Sequence, residues 1–180
     1  MPKPTDKHGK LTSELLRTLI DYDDSSGQFT WKARSGCSRA DKIFNSKHAG
    51  KIAGCADRRG YCYIRIRQFG MFSAHRLAWL HVSGSWPKDE IDHEDGNPSN
   101  NAFVNLREAT RSQNAANRGI HKNNKSGTKG VSYNSRKGLW VAQAAMNGKV
   151  IKLYSNTKEG AEREYNKLAV SLQGEFARVA

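Results

Sequence analysis

Ile91-Asp92-His93-Glu94-Asp95-Gly96-Asn97-Pro98, followed by Asn100-Asn101, Asn105-Leu106-Arg107 and Ser112-Gln113-Asn114, is the stretch on which the fold turns. It reads as the end of a strand, a tight turn on Asp-Gly-Asn-Pro, a loop and a second strand. Thr110 and Gln113 then have capping-box spacing, which predicts a helix beginning at Arg111 with Asn114 in its first turns. Strand, loop, strand and helix place polar groups at three defined points: Asp92 with His93, Asn105, and Asn114.

Those groups suit the hydrolysis of a phosphodiester, which needs an activated water and a cation to stabilise the crowded phosphate and the leaving oxygen. A hard cation such as Mg²⁺ takes oxygen ligands and keeps several waters. Asp92 offers a carboxylate and Asn114 an amide oxygen, and a strand packed on a helix would bring the two together. His93 follows Asp92 directly, so it points to the other side of the strand, where an imidazole suits a general base near neutral pH.

The quoted segment resembles the HNH endonucleases of phages and mobile introns. His75-Arg76-Leu77-Ala78-Trp79 and Gly84-Ser85-Trp86-Pro87 match sequences found upstream of that motif. The resemblance implies a ββα-metal core with His93 as general base. Asp92 and Asn114 would hold one divalent metal, Mg²⁺ with Mn²⁺ as the alternative, and no zinc is expected. Asn105 would be the central Asn that braces the loop and helps position the base. The third motif position is Asn114 rather than His, and a neutral amide binds a cation more weakly than a carboxylate, so affinity should depend on the bound phosphate completing the site.

Upstream, Thr12 can cap a helix with Leu15, Leu16, Leu19 and Ile20 at helical spacing, ending near Asp21–Asp24. Phe29 and Trp31 alternate as in a short strand, and Cys37 to Gly60, rich in Gly, Lys and Arg, reads as loops. Tyr61 to Arg67 is a strand with Cys62, Ile64 and Ile66 on one face and Tyr61, Tyr63, Arg65 and Arg67 on the other. Aromatics interleaved with guanidiniums suit a phosphate backbone or exposed bases, so Arg65 and Arg67, with Arg107, are candidate DNA contacts. Ser73 to Val82 reads as a short helix stopped by Gly84 and Pro87.

Downstream, residues 117–128 are Asn, Lys, Gly and Ser with almost no apolar side chains, the composition of a linker. Three candidate strands follow, 130–134, 139–146 and 149–154, with Asn147-Gly148 as a hairpin signal. Thr157 caps a helix to about Leu172 with Ala161, Tyr165, Leu168, Ala169 and Leu172 on one side. Lys129-Gly130-Val131, Gly138-Leu139-Trp140, Asn147-Gly148-Lys149 and Leu153-Tyr154 resemble the DNA-binding domain of plant ethylene-response factors. That resemblance implies a DNA face including Lys129, Ser132, Asn134, Gln143 and Lys152, with Val131, Trp140, Ile151 and Leu153 as core. Ser, Asn and Ala stand where the plant domains place Arg, which weakens the case for sequence readout, since Arg-to-guanine contacts carry much of it.

Charge supports the same partner. The formal net charge is +13, but it is uneven. Residues 1–74 hold 14 Lys/Arg against 7 Asp/Glu and residues 117–180 hold 12 against 4, whereas 75–116 hold 4 against 6. Basic arms around a slightly acidic centre fit a polyanion binder that keeps carboxylates for a cation. Cys37, Cys55 and Cys62 lack paired metal-ligand spacing and suit a reducing compartment. No apolar stretch is long enough to span a membrane, and Met1–Lys10 is polar.

The expected fold class is α+β: an N-terminal α/β extension over 1–74, an HNH core over 75–118, a linker over 119–128, and a three-stranded antiparallel sheet with one packed helix over 129–180. The expected protein is an intracellular monomer, not secreted, that acts on double-stranded DNA in the host cell as a nicking or homing enzyme. A DNA-binding regulator with a degenerate HNH segment and an RNA-binding protein are the rival readings.

Overall fold

The computed structural model describes residues 11–179, so the polar Met1–Lys10 stretch lies outside it. The chain is α+β and forms two compact units, Met1–Glu108 and Ala109–Ala180.

In the first unit, Thr12 Oγ1 accepts from Leu15 N at 3.3 Å and caps α1 (Ser13–Leu19). The helix stops one turn earlier than its apolar spacing predicts, because Ile20 turns extended (φ −151°) and opens a strand. β1 (Ile20–Asp23) pairs with β2 (Gln28–Trp31) as a hairpin, Ile20 opposite Trp31 and Tyr22 opposite Phe29. The segment expected as loops instead contains α2 (Arg39–His48) and β3 (Cys55–Ala56). β4 (Cys62–Ile66) and β5 (Gly70–Ser73) complete an antiparallel sheet of order β3-β4-β5, with Arg65 opposite Met71.

α3 (Ala74–Ser83) follows β5 and ends at Gly84, whose φ of 80° is the left-handed stop expected of a C-terminal glycine. β6 (Glu90–His93) then pairs with β7 (Leu106–Ala109), and a single 3-10 turn, Phe103–Asn105, leads into β7. Leu16, Ile20, Ile64, Ile66, Leu77 and Leu80 are at most 2% exposed and form the centre of the core, joined by Ile91 and Leu106 from β6 and β7. Each such side chain contributes about 1.5–3 kcal/mol by leaving water, so the strand carrying Asp92 and His93 is anchored by Ile91 beside them.

The second unit begins with α4 (Arg111–Asn117). The capping box expected at its start is formed: Gln113 N donates to Thr110 Oγ1 at 3.3 Å, and Thr110 N donates to Gln113 Oε1 at 2.7 Å. β8 (Val131–Asn134), β9 (Leu139–Met146) and β10 (Lys149–Ser155) form an antiparallel sheet with β9 in the middle. Asn147 (φ 50°) and Gly148 (φ 79°) make the tight hairpin turn that requires two left-handed residues. Capped by Thr157, α5 (Lys158–Gln173) buries Ala161, Tyr165, Leu168 and Ala169 against the sheet.

One core expectation fails. Leu153 is 37% exposed and outside the cluster, which draws instead on Ala142 and Ala144 of β9 beneath Val131 and Ile151. α4 packs within this unit. Ala116 joins Ala109 and Phe176 in a small cluster, Arg178 Nη1 donates to Asn117 O at 3.4 Å, and Asn147 N donates to Ser112 Oγ at 2.8 Å.

Gly130 sits at φ 67°, and a Cβ there would run into the Tyr165 ring. Gly130→Ala should therefore destabilise the second unit by about 2–5 kcal/mol, combining left-handed strain with overpacking. Urea unfolding followed by Tyr and Trp fluorescence reads it; a midpoint like that of the parent would contradict the packing described.

Candidate active site

Asp92 and His93 end β6, and the loop that follows is tied to the strand by its own side chains. Gly96 N donates to His93 O at 2.8 Å and Glu94 N donates to Asn105 O at 2.9 Å. Asp95 Oδ1 accepts from Asn97 N at 2.7 Å, the Asx turn that an Asp-Gly-Asn sequence favours. Asn105, buried on the 3-10 turn, is the brace: its Nδ2 donates to Asp95 Oδ1 (3.0 Å) and Asn100 O (2.9 Å), and its Oδ1 accepts from Asp95 N (3.0 Å). Asn100 Nδ2 donates to Asp95 Oδ2 at 2.8 Å, so one carboxylate gathers three asparagines. These bonds hold the Asp95 carboxyl below its ordinary value, although its partial burial works the other way.

The loop is also fixed from outside. Tyr22 Oη donates to Asn101 O at 2.6 Å, and Phe103 N donates to Asp24 O at 2.8 Å. Gly27 (φ 73°) lies against the Asn101–Ala102 peptide so closely that any Cβ would displace it. Gly27→Ala should shift this loop and lower any activity that depends on it, together with a stability loss of about 1–2 kcal/mol or more. A Gly27→Ala protein as stable as the parent in thermal unfolding would overturn that.

His93 is 6% exposed. Its Nε2 lies 3.3 Å from Asn101 Oδ1, and the rings of His75 and Tyr61 stand edge-on to it at centroid distances of 5.1 and 6.1 Å. Burial pushes the imidazole below its ordinary value, opposed by the bond to Asn101 and the charges of Asp95 and Asp92. His93 therefore favours the neutral form, the form that can accept a proton.

Asp92 is 4% exposed, and both Nε and Nη2 of Arg107 reach its Oδ2 at 3.0 Å. Arg107, expected to contact DNA, thus turns from β7 to the carboxylate on the neighbouring strand. Among the described residues no three His, Cys, Asp or Glu side chains gather into a metal-sized cluster. A cation at Asp92 would accordingly lean on neutral oxygens and water, a donor set that fits Mg²⁺. Asn114 lies on α4 in the second unit, its N donating to Thr110 O at 2.9 Å.

A sequence profile of HNH endonucleases matches residues 72–116, which contain His75, Asp92, His93, Asp95, Asn105 and Arg107 and α4 up to Ala116. Protein 3.8 of Escherichia phage T7 is 34% identical over 105 residues, covering 58% of this chain and 87% of that protein. Residues 72–116 are an HNH endonuclease domain, and the chain is a relative of Protein 3.8. An uncharacterized HNH endonuclease of Acanthamoeba polyphaga mimivirus, L560, is 37% identical over 111 residues, and the match spans 57% of its length. Among solved structures, one described as DNA binding and cleavage by the HNH homing endonuclease I-HmuI is similar with a TM-score of 0.40 at 19% identity, covering 87% of this chain and 85% of that one.

The remaining candidates, outside the HNH motif residues, scatter as follows. Arg65 is exposed on β4, and Arg67 is exposed in the turn just after it, so the strand expected over Tyr61 to Arg67 is shorter at both ends. Ser132, Gln143 and Lys152 are exposed on one face of the β8-β9-β10 sheet, Gln143 directly opposite Lys152. Asn134 is half-buried, its Oδ1 accepting from Lys137 N at 3.2 Å. Lys129 departs from the expected DNA face: its ammonium donates to Ala116 O at the end of α4, and burial, with the Arg178 charge, lowers its pKa to about 8. No helix among the described residues is long and apolar enough to cross a membrane.

Sequence reasoning overlooked Asp95, Asn100 and Asn101, although the Asx-turn signal was in Asp95-Gly96-Asn97. It also left His75 aside. Its Nδ1 is buried without a hydrogen-bond partner, and burial, followed by the charges of His93 and Arg76, pushes its pKa down to about 3. Below its unfolded value near 6.5 the unfolded chain takes up a proton that the folded protein refuses, so stability should fall as pH drops from 6.5 toward 3, by at most about 1.4 kcal/mol per pH unit. Thermal unfolding across that range should show a shallower pH slope for His75→Phe than for the parent; equal slopes would refute it.

Proposed function

We propose that this HNH endonuclease hydrolyses phosphodiester bonds of double-stranded DNA with one divalent metal, Mg²⁺ or Mn²⁺, and nicks one strand per engagement. The observation that carries it is the Asp92–His93 pair at the end of β6, held over a loop that Asn105 locks, inside the segment matched by the family. In this proposal Asp92 and Asn114 share the cation, which when bound supplies charge stabilisation at the scissile phosphate. His93 accepts a proton from a water held in a confined site, and Asn105 keeps the loop rigid so that its ring stays aimed. Arg65 and Arg67, with Ser132, Asn134, Gln143 and Lys152, would hold the duplex. The C-terminal sheet and helix are proposed as an ethylene-response-factor-like DNA-binding module, supported by the exposed polar face of β8, β9 and β10.

Incubating supercoiled plasmid with the whole chain tests this. Open-circle product with Mg²⁺ and none with EDTA is the expected result. A second reading, a DNA-binding regulator, is favoured by one observation: Arg107 already occupies Oδ2 of Asp92. Retained plasmid binding with no cutting in Mg²⁺ or Mn²⁺ would select that second reading.

A further inference from the structure

A cleft of about 1190 Å³ opens in the first unit, lined only by residues between Leu15 and Met71, none of which belongs to the matched HNH segment. α2 supplies part of its lining. No α2 side chain is buried: Ile43 is 46% exposed, and elsewhere in the lining Met71 is 56% exposed and Leu15 36%. Trp31 and Phe44 meet edge to face at 5.6 Å, and the Arg34 guanidinium lies 3.7 Å over the Phe44 ring. Apolar surface gathered in one concavity in this way marks a binding groove more often than a neutral surface.

The charge around the cleft selects the occupant. Its lining contains Lys32, Arg34, Lys47, Arg65 and Arg67 but a single carboxylate, Asp41, which Arg34 already pairs at 3.5 Å. Lys32 pairs with Asp21, whereas Lys47, Arg65 and Arg67 take part in no ion pair among the described residues. A polyanion satisfies the cations, but a duplex keeps its flat apolar faces stacked inside and gives Met71, Ile43 and Trp31 nothing to cover. Unpaired nucleotides offer both parts: a charged backbone and bare base faces.

We propose that this cleft binds a short run of unpaired nucleotides, with bases against its apolar lining and phosphates on Lys47, Arg65 and Arg67. This goes beyond the nuclease proposal, which gives Arg65 and Arg67 to a duplex: here the same two arginines, with Lys47 and the apolar lining, take a single strand without cutting.

Fluorescence anisotropy of a labelled short oligothymidylate, titrated with the full chain in EDTA so that nothing is cut, tests it. Met71→Glu and, separately, Ile43→Asp should weaken binding roughly tenfold, within the range for loss of one base contact, while a blunt duplex of equal length changes by less than about twofold. Arg65→Ala/Arg67→Ala should weaken oligothymidylate binding and lower its log–log salt slope by about 1.4. Lys51→Ala, an exposed cation outside the cleft, should leave both ligands bound as before. Unchanged oligothymidylate affinity in the Met71 and Ile43 variants would overturn the proposal. So would an equal loss for duplex, or displacement of the oligonucleotide by an acidic Glu-Tyr peptide at lower concentration. Plasmid nicking by the same proteins separates the two proposals: nicking that fails while strand binding persists counts only against the nuclease.

Discussion

His93→Ala is expected to bind duplex DNA with near-parental affinity and to nick plasmid about 10²–10⁴-fold more slowly, the span that a positioned general base contributes. The side chain is buried among Tyr61, His75 and Asn101, so removing it also leaves a cavity, and slower nicking alone could reflect a loosened loop. His93→Gln separates the two effects. The amide can still meet Asn101 but takes no proton near neutral pH, so a structural role predicts partial rescue by Gln and a catalytic role predicts none. Single-turnover rates at saturating protein isolate the chemical step from binding. Nicking by His93→Gln at the parental rate would remove His93 from the mechanism.

Arg107→Met should unfold far more easily than the parent, with a loss of about 3–5 kcal/mol, because it takes the guanidinium and its two N–H donors away from a carboxylate that is 4% exposed. For a domain of this size such a loss moves the melting temperature by on the order of 15 °C. Had Arg107 been a surface DNA contact, as its place in the sequence suggested, the change would stay within about 0.5 kcal/mol. Arg107→Lys should recover only part of the loss, since an ammonium cannot deliver two N–H groups in the geometry that Nε and Nη2 provide. Differential scanning calorimetry decides it, and melting within a degree or two of the parent would mean that the ion pair is dispensable. Any cation at Asp92 has to share that carboxylate with the guanidinium.

The parts of the fold that could be read from sequence are those where one local signal dominates. The Thr110–Gln113 capping box, the Asn147-Gly148 turn and the apolar stripe of α5 each depend on neighbours within a few residues, and each is present as expected. α2 was missed because it buries nothing, so its apolar periodicity is weak. The one usable sign was Ser38 three residues ahead of Asp41, which form a reciprocal cap with Asp41 N donating to Ser38 Oγ at 3.1 Å and Ser38 Oγ donating to Asp41 Oδ2 at 2.5 Å. Leu153 went wrong for the opposite reason, since strand alternation places it on the inner side while only the arrangement of α5 decides how far the cover extends. At the site, the motif residues were visible one by one, but Arg107 turning to Asp92 depends on the register of β6 against β7, and the enclosure of His93 depends on Tyr61 and His75, more than fifteen residues away in the chain.

The packing of α4 carries a last consequence. At seven residues it is too short to persist in water by itself, and what holds it belongs to the C-terminal half: Phe176, Asn147, and the cations of Lys129 and Arg178 on its final carbonyls. Truncation at the polar stretch around Lys122 would therefore do more than remove the C-terminal sheet and helix. It would melt the helix that carries Asn114, the residue proposed above as a metal ligand. If Asn114 serves as proposed, a shortened chain should be inert, not merely promiscuous.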